Sequence, residues 1–153
     1  MATRWLRWAP VPALLGPDLL LAWARASVAA LESHRPELDG INVFPVADAD
    51  TGTNLLLTMR SAVEAAEAAE PGSTAVAAAL ARGALLGACG NSGVILSQVL
   101  RGLAEAVAAA GPCGERAAAV LADALSRGTA RASAALTDPR VRTALTVLAA
   151  AAA

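Results

Sequence analysis

Apolar positions recur at intervals of three and four through most of the chain, the period of an amphipathic helix, and polar breaks divide the pattern into segments. Leu20, Trp23, Ala24, Val28 and Leu31 share one face and predict a first helix from Pro17 to about His34. Pro17 suits its first turn, where a missing N–H costs nothing. Leu55, Leu56, Met59, Ala62, Val63 and Ala66 form the apolar stripe of a second helix, from about Thr53 to Ala69, with Arg60, Glu64 and Glu67 on the solvated side. Glu70-Pro71-Gly72 breaks the chain. Ser73 is then a suitable N-cap for a third helix, about Thr74 to Leu86, whose alanines permit close packing. A glycine-rich stretch leads into a fourth helix, which continues through Leu103 and Val107 to Gly111-Pro112. A fifth is expected from about Glu115 to Leu136, with Arg116, Arg127 and Arg131 facing solvent. Asp138-Pro139 ends it, and a short sixth follows from about Val141.

The pattern thus predicts an all-α domain, a bundle of about six amphipathic helices over residues 17–153. An amino-terminal arm, residues 1–16, precedes it, with Trp5 and Trp8 able to pack on the bundle. Composition agrees. The chain is 56% hydrophobic, much of that alanine, with one Phe and no Tyr. Alanine is the strongest helix former, and the residues that strands prefer are thin. At 153 residues the chain has the size of one domain with a real core.

A formal charge of −1 gives no electrostatic reason to expect a nucleic-acid surface. Cys89 and Cys113 form neither a disulfide framework nor a zinc site and suit a reduced, cytoplasmic protein. Cys113, between Pro112 and Gly114, reads as a loop thiol, since no histidine stands by to activate it. Arg4 and Arg7 precede an apolar stretch, but Pro10, Pro12 and Gly16-Pro17-Asp18 leave it too short for a secretory signal. Asp18 and Arg25 interrupt the one run that could span a membrane. His34, before Pro36, reads as a surface or cap residue, because a general base needs a positioned partner.

Two stretches carry oxygen and backbone chemistry. In Val43-Phe44-Pro45-Val46-Ala47-Asp48-Ala49-Asp50-Thr51-Gly52-Thr53-Asn54, two carboxylates stand two residues apart, followed by hydroxyls and a carboxamide. Hard cations take oxygen ligands, and Mg²⁺ commonly takes one or two carboxylates with water and phosphate completing its shell. The same residues also serve as a solvated turn that caps the next helix. Downstream, Gly83, Gly87, Gly90 and Gly93 punctuate the approach to the fourth helix, with Asn91 and Ser92 between the last two. Helix amino termini bind phosphate through unpaired N–H groups and the helix dipole. A glycine-rich helix–helix turn capped by Ser92 is the simpler reading, and no Lys-Ser/Thr pair closes a Walker loop. Together the two stretches suit a nucleoside triphosphate with its metal, if both lie at one end of the bundle.

Read together, Ile41-Asn42-Val43-Phe44-Pro45-Val46-Ala47-Asp48-Ala49-Asp50-Thr51-Gly52-Thr53-Asn54 and Gly87-Ala88-Cys89-Gly90-Asn91-Ser92-Gly93-Val94-Ile95-Leu96-Ser97-Gln98 resemble the ATP-binding domain of the dihydroxyacetone-kinase family, the DhaL type. The likeness is strongest to the branch at the front of the bacterial fatty-acid kinase catalytic subunit, and it covers about residues 17–136. It implies a barrel-like bundle of antiparallel amphipathic helices that binds ATP or ADP with Mg²⁺ at one end. By position, Asp48 and Asp50 would be the Mg²⁺ ligands, with Asn42 near a third acidic ligand of the dihydroxyacetone branch. Thr51, Thr53 and Asn54 would line the metal and phosphate side, and Gly90, Asn91, Ser92 and Gly93 would wrap the phosphates. Ser97, Gln98 and Arg101 complete the string and suit packing or supporting roles. The phosphoryl acceptor would be a small glycerone-like hydroxy compound, or a fatty acid carried by a lipid-binding protein. A substrate-presenting partner, lipid-binding or dihydroxyacetone-binding, is therefore expected, and a homodimer is left open.

Ala49, Cys89 and the short carboxyl end favour a second reading, a degenerate, non-catalytic domain that binds a partner, while the intact Asp48/Asp50 pair and the Gly90-Asn91-Ser92-Gly93 turn favour the first. Ala49 stands where the family has glycine, which penalises any positive φ there. Cys89 stands where the family has arginine, removing a cation beside the phosphates. Asp138-Pro139-Arg140-Val141-Arg142-Thr143 lacks the family's Pro-x-Glu-Gly-Thr string. The likeness also leads one to expect further helices, so the domain reads as shortened at its carboxyl end, with an apolar flank of the kind that marks an interface.

Overall fold

The computed structural model describes residues 15–41, 49–111, 117–135 and 150. Five helices account for nearly all of them: α1 (Pro17–Gly40), α2 (Thr51–Glu67), α3 (Ser73–Leu86), α4 (Gly90–Ala110) and α5 (Ala117–Ala135). Among the described residues there is no strand, as the composition predicts. The expected sixth helix, residues 1–14 of the arm and Arg116 fall outside the described residues, apart from a helical Ala150.

Each helix packs on the next in the chain. The connections from α2 to α3 and from α3 to α4 are too short for anything but antiparallel neighbours. α4 is the central helix, in contact with α2, α3 and α5, while α1 lies across α2 and α3. Met59, Leu80 and Leu100, from α2, α3 and α4, are almost wholly buried and form the middle of the core with the alanines around them. By length and composition α4 is also the one described helix apolar enough to cross a bilayer. Within the bundle it packs against α2, α3 and α5.

Small residues set how closely the helices approach. A methyl group on Gly83 would stand 2.5 Å from the Ser61 carbonyl oxygen of α2, and Ser61 Oγ donates to the Gly83 carbonyl at 2.9 Å. A methyl on Gly102 of α4 would meet the Ala124 carbonyl oxygen at 2.7 Å, and one on Gly128 of α5 would meet Val99 Cα at 2.8 Å. Glycine against glycine thus lets α4 and α5 pack backbone to backbone.

Several boundaries differ from the sequence expectation. α1 continues past His34 to Gly40 and carries Pro36 in its interior. Pro36 lies on an exposed turn, so water can serve the carbonyl four residues back that loses its helical donor. His34 is on the surface, with Nδ1 3.0 Å from Glu37 Oε2. α2 begins at Thr51 and ends at Glu67. Ser73 is the first residue of α3 rather than its cap; Gly72 takes the cap position at φ 152°, which a residue with a side chain rarely adopts. Trp23 is 46% exposed although it falls on the predicted stripe, because α1 buries Leu20 and Ala24 while Trp23 stands at the margin. The polar sides of α1 and α2 are joined by ion pairs, Arg25 with Glu67 at 2.8 Å and Arg60 with Glu32. Exposed pairs of this kind contribute about 0–1 kcal/mol each. Arg131, expected in solvent, is half-buried and holds Glu105 of α4 with two nitrogens, at 2.6 and 2.9 Å.

The α4–α5 contact predicts that Gly102→Ala destabilises the domain by about 1–3 kcal/mol through overpacking against backbone, measured as a lower midpoint in urea unfolding followed by circular dichroism.

Candidate nucleotide site

Three helix ends meet at one end of the bundle: the carboxyl end of α1 and the amino ends of α2 and α4. The first contact is between α1 and α2. Asp39, in the last turn of α1, accepts the Thr53 backbone N–H at 3.0 Å and the Thr53 hydroxyl at 3.0 Å. Gly52 lies so close to α1 that a methyl there would be 2.7 Å from the Arg35 carbonyl oxygen. The Asp39 carboxyl is held below the ordinary aspartate range, first by the Thr53 N–H; the Thr53 hydroxyl, the Gly52 N–H and the Arg35 guanidinium act in the same direction, and desolvation opposes them.

The second contact is between α2 and the turn before α4. Thr58, on α2, is completely buried. Its hydroxyl donates to the Asn54 carbonyl at 2.7 Å and accepts the Cys89 N–H at 3.1 Å. Gly93 sits directly on that hydroxyl, where a methyl group would overlap it. Gly90 adopts φ +57°, and a methyl there would stand 2.5 Å from Asn54 Nδ2. Gly90 and Gly93 are therefore required by the close approach of α4 to α2.

The predicted residues can be placed on this frame. Asn42 and Asp48 lie outside the described residues. Asp50 is half-buried at the N-cap position of α2; its carbonyl accepts the Asn54 N–H at 2.8 Å, and its carboxylate does not cap the helix. Thr51 is the first residue of α2 and half-buried. Thr53 directs its hydroxyl to Asp39. Asn54 faces Gly90 across the joint. Gly90, Asn91 and Ser92 form the first turn of α4, and Cys89, not Ser92, occupies the cap position. Ser97 is buried and bonds the Val94 carbonyl at 2.7 Å, with Gln98 beside it, and Arg101 lies on the surface with Glu105. Asp39 and Thr58 escaped the sequence reading. Neither has a telling spacing: one acid fourteen positions before its partner, and one hydroxyl within an apolar stripe.

The donors divide unevenly between the two helix ends. The first N–H groups of any helix lack an intrahelical partner. At α2, those of Gly52 and Thr53 are taken by Asp39. At α4, the Cys89 N–H goes to Thr58 and that of Gly93 to the Cys89 carbonyl, at 2.9 Å. The N–H groups of Gly90, Asn91 and Ser92 have no acceptor within the helix, and Gly90 and Asn91 are exposed. The two helix ends thus differ in how their leading N–H groups are engaged: those of α2 by Asp39, while the first turn of α4 is exposed at Gly90 and Asn91. Among the described residues no cluster of three metal-ligating side chains occurs. The donor set present, carboxylate, carboxamide and hydroxyl, is all oxygen and fits Mg²⁺ rather than a softer metal.

Residues 45–153 match the DAK2 domain. The chain belongs to the DAK2 domain family. It is thereby a nucleotide-binding, kinase-related domain of the DhaL type. It is similar to Protein YloV of Bacillus subtilis (strain 168), 43% identical over 88 residues, which are 57% of this chain and 15% of that protein. An uncharacterized protein of Staphylococcus saprophyticus, SSP1546, is 48% identical over 80 residues, 48% of this chain and 14% of its own length. Another from Staphylococcus aureus (strain USA300), SAUSA300_1119, is 46% identical over 78 residues, 47% of this chain and 13% of its own. The chain thus matches only a small part of each relative.

Within this DAK2 domain, Ala49 is the non-glycine residue at positive φ among the described residues, at +52°. A left-handed conformation costs a side-chain-bearing residue about 1–2 kcal/mol. Ala49→Gly is expected to raise stability by about 0.5–1 kcal/mol, the strain relief less the added entropy of the unfolded chain, read as a higher urea midpoint.

Asp39 generates a pH prediction. Its folded pKa is lowered, so its contribution is complete above the ordinary carboxylate value of about 3.9 and is lost as pH falls through the lower, folded value. Asp39→Asn should therefore be less stable than the parent at neutral pH, with the gap narrowing as the parent is acidified through that range. A gap that stays constant from neutral pH to the acid limit contradicts the assignment.

Proposed function

We propose that this end of the bundle binds ATP or ADP with Mg²⁺, and that the domain transfers the γ-phosphoryl group to a small glycerone-like hydroxy compound or to a fatty acid presented by a partner protein. One observation carries the reading: Asn54 and Thr58 of α2 hold Gly90, Cys89 and Gly93 of α4, so the acidic stretch and the glycine turn share one rim. Gly90, Asn91 and Ser92 offer backbone donors to phosphate oxygens, strengthened by the α4 dipole. Asp50, with Asp48 and Asn42, is the donor set for Mg²⁺. When bound, the ion supplies charge neutralisation on the transferring phosphoryl group. The work left to the protein is positioning, which in phosphoryl transfer is most of the catalysis. The proposal includes a substrate-presenting partner, lipid-binding or dihydroxyacetone-binding. A cytoplasmic setting belongs to the same proposal.

A second reading, a non-catalytic partner-binding module, draws on the strained Ala49 and on Cys89 at the α4 cap.

Calorimetry with ATP and Mg²⁺ separates the two. The parent is expected to bind, an Asp48→Asn, Asp50→Asn double variant to lose the Mg²⁺-dependent part, and Gly90→Ala to bind about tenfold more weakly, equivalent to about 1.4 kcal/mol. No heat from a folded parent at saturating nucleotide decides for the partner-binding module.

A further inference from the structure

A groove of about 350 Å³ runs between α3 and α4, lined from Thr74 to Leu85 on one helix and from Ser97 to Ala108 on the other. Each wall is about 16 Å long, three turns of helix. Ala81 and Ala104 lie half-buried within it, and side chains that small leave room for another backbone. Leu85 is 50% exposed at one end, and Leu86 beside it is 81% exposed. The charges are one-sided. Arg82 is the one charged residue of α3 and makes no ion pair among the described residues. On α4, Glu105 is held by Arg131 at 2.6 Å and by Arg101 only at 3.4 Å. Arg131 thus balances Glu105, and Arg82 and Arg101 line the groove as cations without a close acid of their own. Arg101 continues the residue string that starts at the glycine turn, yet it stands about 16 Å of helix beyond Gly90 and belongs to this groove.

We propose that this groove docks an amphipathic helix of a partner protein, one whose contacting face carries carboxylates among small apolar residues, with Arg82 and Arg101 as the anchors. The shape suits the occupant: a helix laid into a groove between two others meets them along several turns, and small residues at the contact let the axes come close. The charge selects it. Arginine is enriched at interfaces, and a carboxylate brought to these two guanidiniums forms charge-assisted hydrogen bonds that the groove shields in part from water. A second copy of this chain is a poorer occupant, because Glu32 and Glu67 of its α1–α2 face are already held by Arg60 and Arg25. A bilayer is poorer still, since a flat surface cannot reach the recessed Ala81 and Ala104. Docking here needs no nucleotide, so it stands or falls apart from the phosphoryl-transfer reading.

The test uses the full chain without nucleotide and a dye-labelled, alanine-based peptide of about 18 residues, long enough to be helical alone, with glutamate at every fourth position. The expected result is a saturable rise in the peptide's fluorescence anisotropy that added salt weakens. The Arg82→Glu, Arg101→Glu double variant should bind it at least about tenfold more weakly, about 1.4 kcal/mol, with its helical circular dichroism retained. The same peptide with lysine in place of glutamate should show the reverse order, binding the double variant and not the parent. Should the double variant unfold, Arg82→Gln with Arg101→Gln replaces it and should still weaken the glutamate peptide. No binding of the glutamate peptide overturns the proposal, as does equal binding by the parent and the charge-reversed variant. Self-association in sedimentation that the double variant abolishes also overturns it and assigns the groove to a second copy. Binding to anionic phosphatidylglycerol vesicles in place of the peptide overturns it in favour of a membrane.

Discussion

A single buried hydroxyl fixes the working end of this domain. Thr58 is completely enclosed between α2 and the turn before α4, and an enclosed hydroxyl without partners would cost about 1–3 kcal/mol. It is satisfied from both sides, donating along its own helix to Asn54 and accepting from Cys89 of the next element. That second bond pins the start of α4 to the second turn of α2. Gly93 must then be glycine because the hydroxyl occupies the space of its side chain, and Gly90 because Asn54 does. The glycines that look like a loop motif are, physically, the clearance that lets two helix amino ends lie side by side.

The same geometry separates the charges. Two adjacent helix amino ends concentrate positive potential, and one carboxylate inserted between them would neutralise both. Asp39 instead reaches α2 from the α1 side, where the Thr53 N–H, 3.0 Å away, holds its carboxyl below the ordinary aspartate range. The first turn of α4 is exposed at Gly90 and Asn91, and its three leading N–H groups have no intrahelical acceptor. The two ends therefore differ in chemistry although they differ little in geometry. One is closed internally by Asp39, and the other opens to solvent at Gly90 and Asn91.

How much of this was legible in the residues varies by element. The all-α class and the buried stripe of α2 follow directly from periodicity, and Leu56, Met59, Ala62 and Ala66 are buried as that pattern requires. The first boundary of α3 misses by one residue because Gly72, not Ser73, supplies the unusual backbone angle. Pro36 misleads more seriously: read locally it ends a helix, yet an exposed proline late in a long helix removes a hydrogen bond that solvent can replace. Arg131 shows the limit of helical-wheel reasoning, since its partner Glu105 belongs to a different helix. Asp39 and Thr58 were invisible for the same reason. Each is ordinary in its own segment and acquires its role from a residue brought to it by the fold.

Ala49 shows how the site and the fold pull against each other. A residue just before Asp50 at φ +52° turns the chain into α2, and glycine would do so without steric cost. Alanine holds the same angle only because its neighbours determine it: Asp50 is committed to the first hydrogen bond of α2, and α2 is itself fixed to α1 by Asp39 and to α4 by Thr58. Strain of this kind persists where the surroundings impose it. The backbone turn of the acidic stretch is thus maintained by the helix framework and not by the local preference of the residues that form it. Any process that loosens the grip of Asp39 or Thr58 on α2 would also loosen the constraint that holds Ala49 at its positive φ. The position of the carboxylate is in this sense a property of three helices acting together.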